Sequence, residues 1–169
     1  IDDLYSARIL SLAANLPHSG RLPAAEGTGE RTAKLCGSKA IVDVTLDADG
    51  HIVDFAQDVR ACALGQAAAG VVGEHAIGAS RDEIASARDA LLAMLKSGGD
   101  GPTGRFQDLR VLKPVADYPA RHASTLVAIE ATLEAAEQAL EEFGPEEPNP
   151  LLSPATLTPA GRLLLGGRA

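Results

Sequence analysis

A chain of 169 residues and 17.4 kDa is the size of one domain that buries roughly two thirds of its unfolded surface. Its net charge of −8 and pI near 4.9 argue against nucleic-acid or anionic-membrane partners, and no apolar run approaches the roughly 18 residues needed to span a bilayer. Acidic Asp2 and Asp3 stand where an export signal would be basic, and two cysteines are too few for a disulfide scaffold, so a reducing cytoplasm is expected.

Residues 4–16 predict a helix, with Leu4, Leu12 and Leu16 near a 3.6-residue repeat. Pro17 and Gly20 end it, and the polar stretch to about Gly29 has loop chemistry. Three strand-like runs follow, at about 31–35, 40–46 and 51–59. In the second, Val42, Val44 and Leu46 alternate with Asp43 and Thr45. Asp47-Ala48-Asp49-Gly50 is a hairpin connection whose glycine can take positive φ. This is an antiparallel meander.

From Cys62 the pattern turns helical. Residues 61–74 are nearly all small, so Ala67-Ala68-Ala69-Gly70 can lie close to another backbone. Ser80-Arg81-Asp82-Glu83 has the form of a capping box. The helix it starts carries an apolar stripe of Ile84, Ala87, Leu91, Met94 and Leu95. Residues 97–104, with four glycines and Pro102, form a break, and Phe106, Leu109 and Leu112 predict another short helix. The last helix, 122–143, buries Leu126, Ile129, Leu133, Ala136 and Leu140 and turns its glutamates to water. Five of the ten prolines come after Phe143, and residues 144–169 read as a poorly ordered tail whose Leu151-Leu152 and Leu163-Leu164-Leu165 could dock. The fold class expected is α+β, a three-stranded antiparallel sheet with helices on one face.

Chemistry is concentrated at Cys36, Cys62 and His122. A cysteine at a helix start faces unpaired N–H groups that favour its thiolate, and Gly37 allows close approach beside Cys36. Against this, free cysteine is a common packing residue, a lone histidine before a helix is often a cap, and no C-x-x-C or H-x-x-H supports a metal site. His18 and His51 read as solvated, and His75, near a helix end, as capping carbonyls or interacting with the dipole. Glu130, Glu134, Glu137, Glu141 and Glu142 read as a solvated face. Gly98-Gly99-Asp100-Gly101 lacks the following Lys-Ser/Thr of a phosphate loop.

The order of motifs from Leu4 to about Leu140 resembles the U-type iron–sulfur scaffold family, of NifU N-terminal, IscU or SufU type. Leu4-Tyr5 through Leu22 resembles its opening helix and Pro-Arg-Asn-x-Gly loop. Cys36-Gly37 stands for its Cys-Gly-Asp, and Asp49-Gly50-His51-Ile52-Val53-Asp54 for its Asp-Gly-x-Ile-x-Asp hairpin. Cys62-Ala63-Leu64-Gly65-Gln66-Ala67 resembles its second cysteine helix. Tyr118-Pro119-Ala120-Arg121-His122-Ala123-Ser124-Thr125-Leu126 resembles its last ligand segment, Leu-His-Cys-Ser-Met-Leu or Pro-x-Arg-Ile-Lys-Cys-Ala-Thr-Leu. Anchored on Ser124-Thr125-Leu126, the third cysteine falls on Ala123, and the acid after Cys-Gly is Ser38.

The resemblance implies a NifU N-terminal-like scaffold domain at residues 1–143. Its function would be a non-catalytic one, assembling an iron–sulfur cluster and passing it on. Cys36, Cys62 and His122 would be the metal and cluster ligands, with Cys62 also a candidate sulfur acceptor. A [2Fe–2S] cluster needs a fourth ligand beyond these three, whereas Zn2+ would accept three with one open position. The implied partners are a cysteine desulfurase, an iron donor and apo iron–sulfur acceptor proteins. Zinc-bound sulfur relay is the alternative on the same fold, and a non-metal interaction module a second. A Cys62–His122 nucleophile–base pair has no third group to orient it.

Overall fold

A computed structural model describes residues 4–143, so the expected tail and its leucine pairs lie outside the described residues. The elements run α1 (Ala7–Ala14), β1 (Gly27–Ala33), β2 (Ser38–Leu46), β3 (Ile52–Arg60), α2 (Ala63–His75), α3 (Arg81–Ser97), 3-10 segments Gly104–Asp117 and Pro119–Arg121, and α4 (His122–Phe143). The sheet is antiparallel in the order β1-β2-β3, with Gly27 opposite Val44 and Val44 opposite Phe55. The architecture is the expected α+β one, with α4 laid across β1 and β2 on one face. Among the described residues no helix is long and apolar enough to cross a membrane.

The first strand starts earlier than expected. Gly27 and Gly29 belong to β1 rather than to a loop, because α4 lies against their backbone. A Cβ on Gly29 would run into Ala131 O and stand 2.7 Å from Ala135 N, and one on Gly27 would meet Ala135 O and Ala139 N. Buried Ala131, Ala135 and Ala139, one turn apart on α4, form the ridge that fits there. The α4 glutamates are correspondingly less solvated than their spacing suggests. Glu134 Oε1 accepts Glu30 N–H at 3.0 Å and Gln138 Oε1 accepts Thr28 N–H at 2.6 Å, covering the edge of β1. Glu137 pairs with Arg81 at 2.7 Å, tying α4 to α3.

The small residues of α2 do what their size allows. Gly70 lies on Leu12 O of α1, and Gly65 has Ser124 O 2.8 Å from where a Cβ would be, which brings the first turns of α2 and α4 together. The Ser80–Glu83 capping box forms, with bonds of 3.2 and 3.1 Å. The short helix expected near Phe106 is a longer 3-10 run that buries Phe106, Leu109, Leu112 and Val115.

On the opposite face of the sheet Asp43 is only 1% exposed. Its carboxylate accepts from Arg21 Nε at 2.6 Å, Leu22 N–H at 3.0 Å and Thr28 Oγ1 at 2.6 Å. Burial pushes its pKa up, but the bonds from Arg21, Thr28 and Leu22 and the Arg21 charge outweigh it and hold it below the usual carboxylate range. A depressed carboxylate adds stability that is complete above its unfolded value, about 3.9, and lost as pH falls through the folded one. Asp43→Asn is expected to cost about 2 kcal/mol at neutral pH and to flatten the acid limb of the melting profile. Equal pH dependence in variant and parent would show that the clamp contributes nothing.

Candidate functional site

The turn between β1 and β2, residues 34–37, faces the N-termini of α2 and α4. Gly37 takes φ +75° there, a value that favours glycine, and so turns the chain from Cys36 into β2. Cys36 is exposed, and Leu35 beside it is 76% exposed. Cys62 is the N-cap residue of α2 and half-buried. Both thiols are free.

Two serines join the thiols. Ser38, 3% exposed at the start of β2, has its Oγ 3.1 Å from Cys36 Sγ, and the same oxygen accepts Cys62 N–H at 3.4 Å. Because that lone pair is already used as an acceptor, the hydroxyl hydrogen is free for the sulfur. The Ser38 hydroxyl, then its backbone N–H, pull the Cys36 thiol below the ordinary thiol range, with a smaller contribution from Ser124 and a small opposing one from burial. Ser124, fully buried on the first turn of α4, has its Oγ 3.6 Å from Cys62 Sγ.

Arg121 supplies positive charge at the rim. Its Nη1 donates to Tyr5 Oη at 2.8 Å. Tyr5 first, and the charges of Cys62 and Cys36 after it, hold the guanidinium in its charged form.

The structure does not bring His122 to this group. Its ring is 6% exposed, and Nε2 lies 3.0 Å from Val115 O and 3.2 Å from Ala116 O. The imidazole is held on carbonyls of the preceding 3-10 segment, one of which, Val115 O, also accepts Tyr118 N–H at 2.9 Å. Among the described residues Cys36, Cys62 and His122 form no cluster within ligand reach. Of the three expected donors, the two thiols stand with the Ser38 and Ser124 hydroxyls, and the His122 ring is turned to the Val115 and Ala116 carbonyls. His75 stands in the last turn of α2, the helix-end position expected to serve the dipole, and it also lies 3.2 Å from Asp108 Oδ2.

The residue the sequence reading missed is Ser124. Anchoring on Ser-Thr-Leu put the third-cysteine position at Ala123, which is exposed. Counting from Pro119-x-Arg121 in the Pro-x-Arg-x-x-Cys form puts it at Ser124, the residue that faces the thiols.

Two thiols do not match a resident zinc site, which takes four protein ligands or three and a water. Nor do they fill the four positions of a [2Fe–2S] unit. The same pair fits a cargo of sulfur and iron whose other ligands come from elsewhere.

No protein-family model and no curated protein matches the chain. Among solved structures it is similar to a nitrogen-fixing NifU-like protein (N-terminal) from Brucella abortus, at 44% identity and TM-score 0.80, over 83% of this chain and 97% of that one. It also shares its fold with a protein from Fervidobacterium islandicum AW-1 described as a candidate iron–sulfur cluster assembly scaffold for the SUF system. There the identity is 21% and the TM-score 0.70, over 80% of this chain and 98% of that one.

Proposed function

The chain belongs to the NifU-like (N-terminal) family, and from that premise we propose that it is an iron–sulfur cluster assembly scaffold whose Cys36 and Cys62 receive the sulfur and iron being assembled. The observation that carries this reading is the meeting of two free thiols with Ser38, Ser124 and Arg121 at one end of the sheet. Hydroxyl donors and a guanidinium favour anionic sulfur, and thiolates are the protein ligands that iron–sulfur clusters use.

Cys36 stands at an exposed turn, next to exposed Leu35, where a cysteine desulfurase can reach it. An iron donor and apo acceptor proteins are the other partners this role requires. The cluster is cargo, of [2Fe–2S] type, and two of its four ligands come from outside one chain. His122 takes no part as a ligand, since its Nε2 stays on the Val115 and Ala116 carbonyls. The role suits a reducing cytoplasm, where both thiols remain free.

The test is anaerobic reconstitution with ferrous iron, L-cysteine and a cysteine desulfurase, followed by assay of iron and acid-labile sulfide. Both are expected in the parent and in His122→Asn, and absent from Cys36→Ala and Cys62→Ala. Zinc retained in place of iron, with no sulfide taken up, would overturn the scaffold role.

A further inference from the structure

Ser124 has a hydrogen it can redirect. Its hydroxyl donates to Arg121 O at 3.1 Å, but the same carbonyl accepts from Thr125 Oγ1 at 2.8 Å. The carbonyl therefore keeps a partner when the Ser124 hydrogen turns away. The sulfur of Cys62 is the alternative acceptor, 3.6 Å from Oγ. That distance is long for a hydrogen bond to sulfur, so the hydroxyl is not already committed to the bare thiol. The closeness is built in by Gly65, whose missing side chain lets α2 approach Ser124 O. The neighbours of Ser124 are unsuited to the task, since Ala123 has no polar group and is exposed, and His122 is committed to two carbonyls.

We propose that Ser124 is the α4 residue that contacts the sulfur cargo, its hydroxyl donating to a persulfide formed on the neighbouring thiol. The proposal rests on the assembly reading. In the loading step a protein thiolate attacks the terminal sulfur of an organic persulfide. A new S–S bond forms on the protein as the donor's S–S bond breaks, and the donor leaves as its thiolate with no net oxidation. The terminal sulfur arrives with its proton, loses it to the departing thiolate or water and is then an anion, and a hydrogen bond to an anion is among the stronger ones. A serine here also means that α4 offers sulfur a donor and offers metal no third thiolate.

The experiment has two arms on the full chain. In the first, glutathione persulfide is added, the excess removed, and the sulfur carried on the Cys62 peptide followed by mass over time. The parent gains the mass of sulfur, Ser124→Ala loses it about tenfold faster, and Ser124→Thr, which keeps the hydroxyl, restores the slow loss. In the second arm cobalt(II) is bound and its thiolate charge-transfer absorption read. Ser124→Cys is expected to raise that absorption, as a third thiolate would, and Ala123→Cys to leave it unchanged. Sulfur uptake with equal lifetimes in parent and Ser124→Ala, or a gain from Ala123→Cys alone, would overturn the role of Ser124 and leave the assembly reading standing. No sulfur uptake by the parent would overturn both.

Discussion

Gly29→Ala is expected to destabilise the fold by about 3 kcal/mol, a fall in melting temperature of about 10 °C for a domain of this size. Overpacking is usually relieved by a rotamer change, but here the added methyl would strike Ala131 O and Ala135 N, which are helix backbone. Moving them lifts α4, and α4 carries the Ala131–Ala135–Ala139 ridge that covers the sheet. It also withdraws Glu134 and Gln138 from Glu30 N–H and Thr28 N–H, leaving edge donors unpaired. Gly27→Ala meets Ala135 O and Ala139 N in the same way, and the two sites share one helix, so the double variant is expected to be less than additive. Thermal unfolding followed by circular dichroism gives the answer, and a melting temperature within about 2 °C of the parent would mean that β1 and α4 are not in backbone contact.

Those glycines show what the sequence withholds. Hydrophobic periodicity located α3 and α4 and the β2–β3 meander, because burial repeats at 3.6 or 2 residues leave a local trace, and the small residues of 61–74 marked α2. Gly27 and Gly29 left the opposite trace, that of a loop, since their role depends on a helix one hundred residues later. Asp43 read as the polar side of an alternating strand, and nothing local shows that Arg21 and Leu22 cross over it. At the site, Cys36 and Cys62 were legible from the resemblance and their helix or turn context. That His122 turns to carbonyls and Ser124 to the thiols is not legible in the sequence, for one reason. On the first turn of a helix, neighbouring residues face directions about 100° apart, so a shift of one residue in the anchor exchanges an exposed side chain for a buried one. Sequence spacing resolves the turn, and only packing resolves which residue of that turn faces the thiols.

The two thiols are expected to differ in reactivity by about tenfold, with Cys36 the faster. The thiolate is the attacking form, so rate follows both access and the fraction ionised. Cys36 is exposed on the turn and its thiol is pulled down chiefly by the Ser38 hydroxyl. Cys62 is half-buried, with its sulfur turned toward Ser124. The sign with pH follows from the lowered thiol: Cys36 remains substantially ionised at pH values where an ordinary thiol is protonated, so its rate profile rises at lower pH. Ser38→Ala removes the largest cause and is expected to return the Cys36 profile toward ordinary thiol behaviour, while alkylation of Cys62 changes little. Iodoacetamide labelling under limiting reagent, with each site quantified by peptide mass across a pH series, separates the two. Matching profiles for Cys36 in the parent and in Ser38→Ala would show that exposure alone sets its reactivity. A faster Cys62 would show that its helix-start position outweighs exposure in setting reactivity.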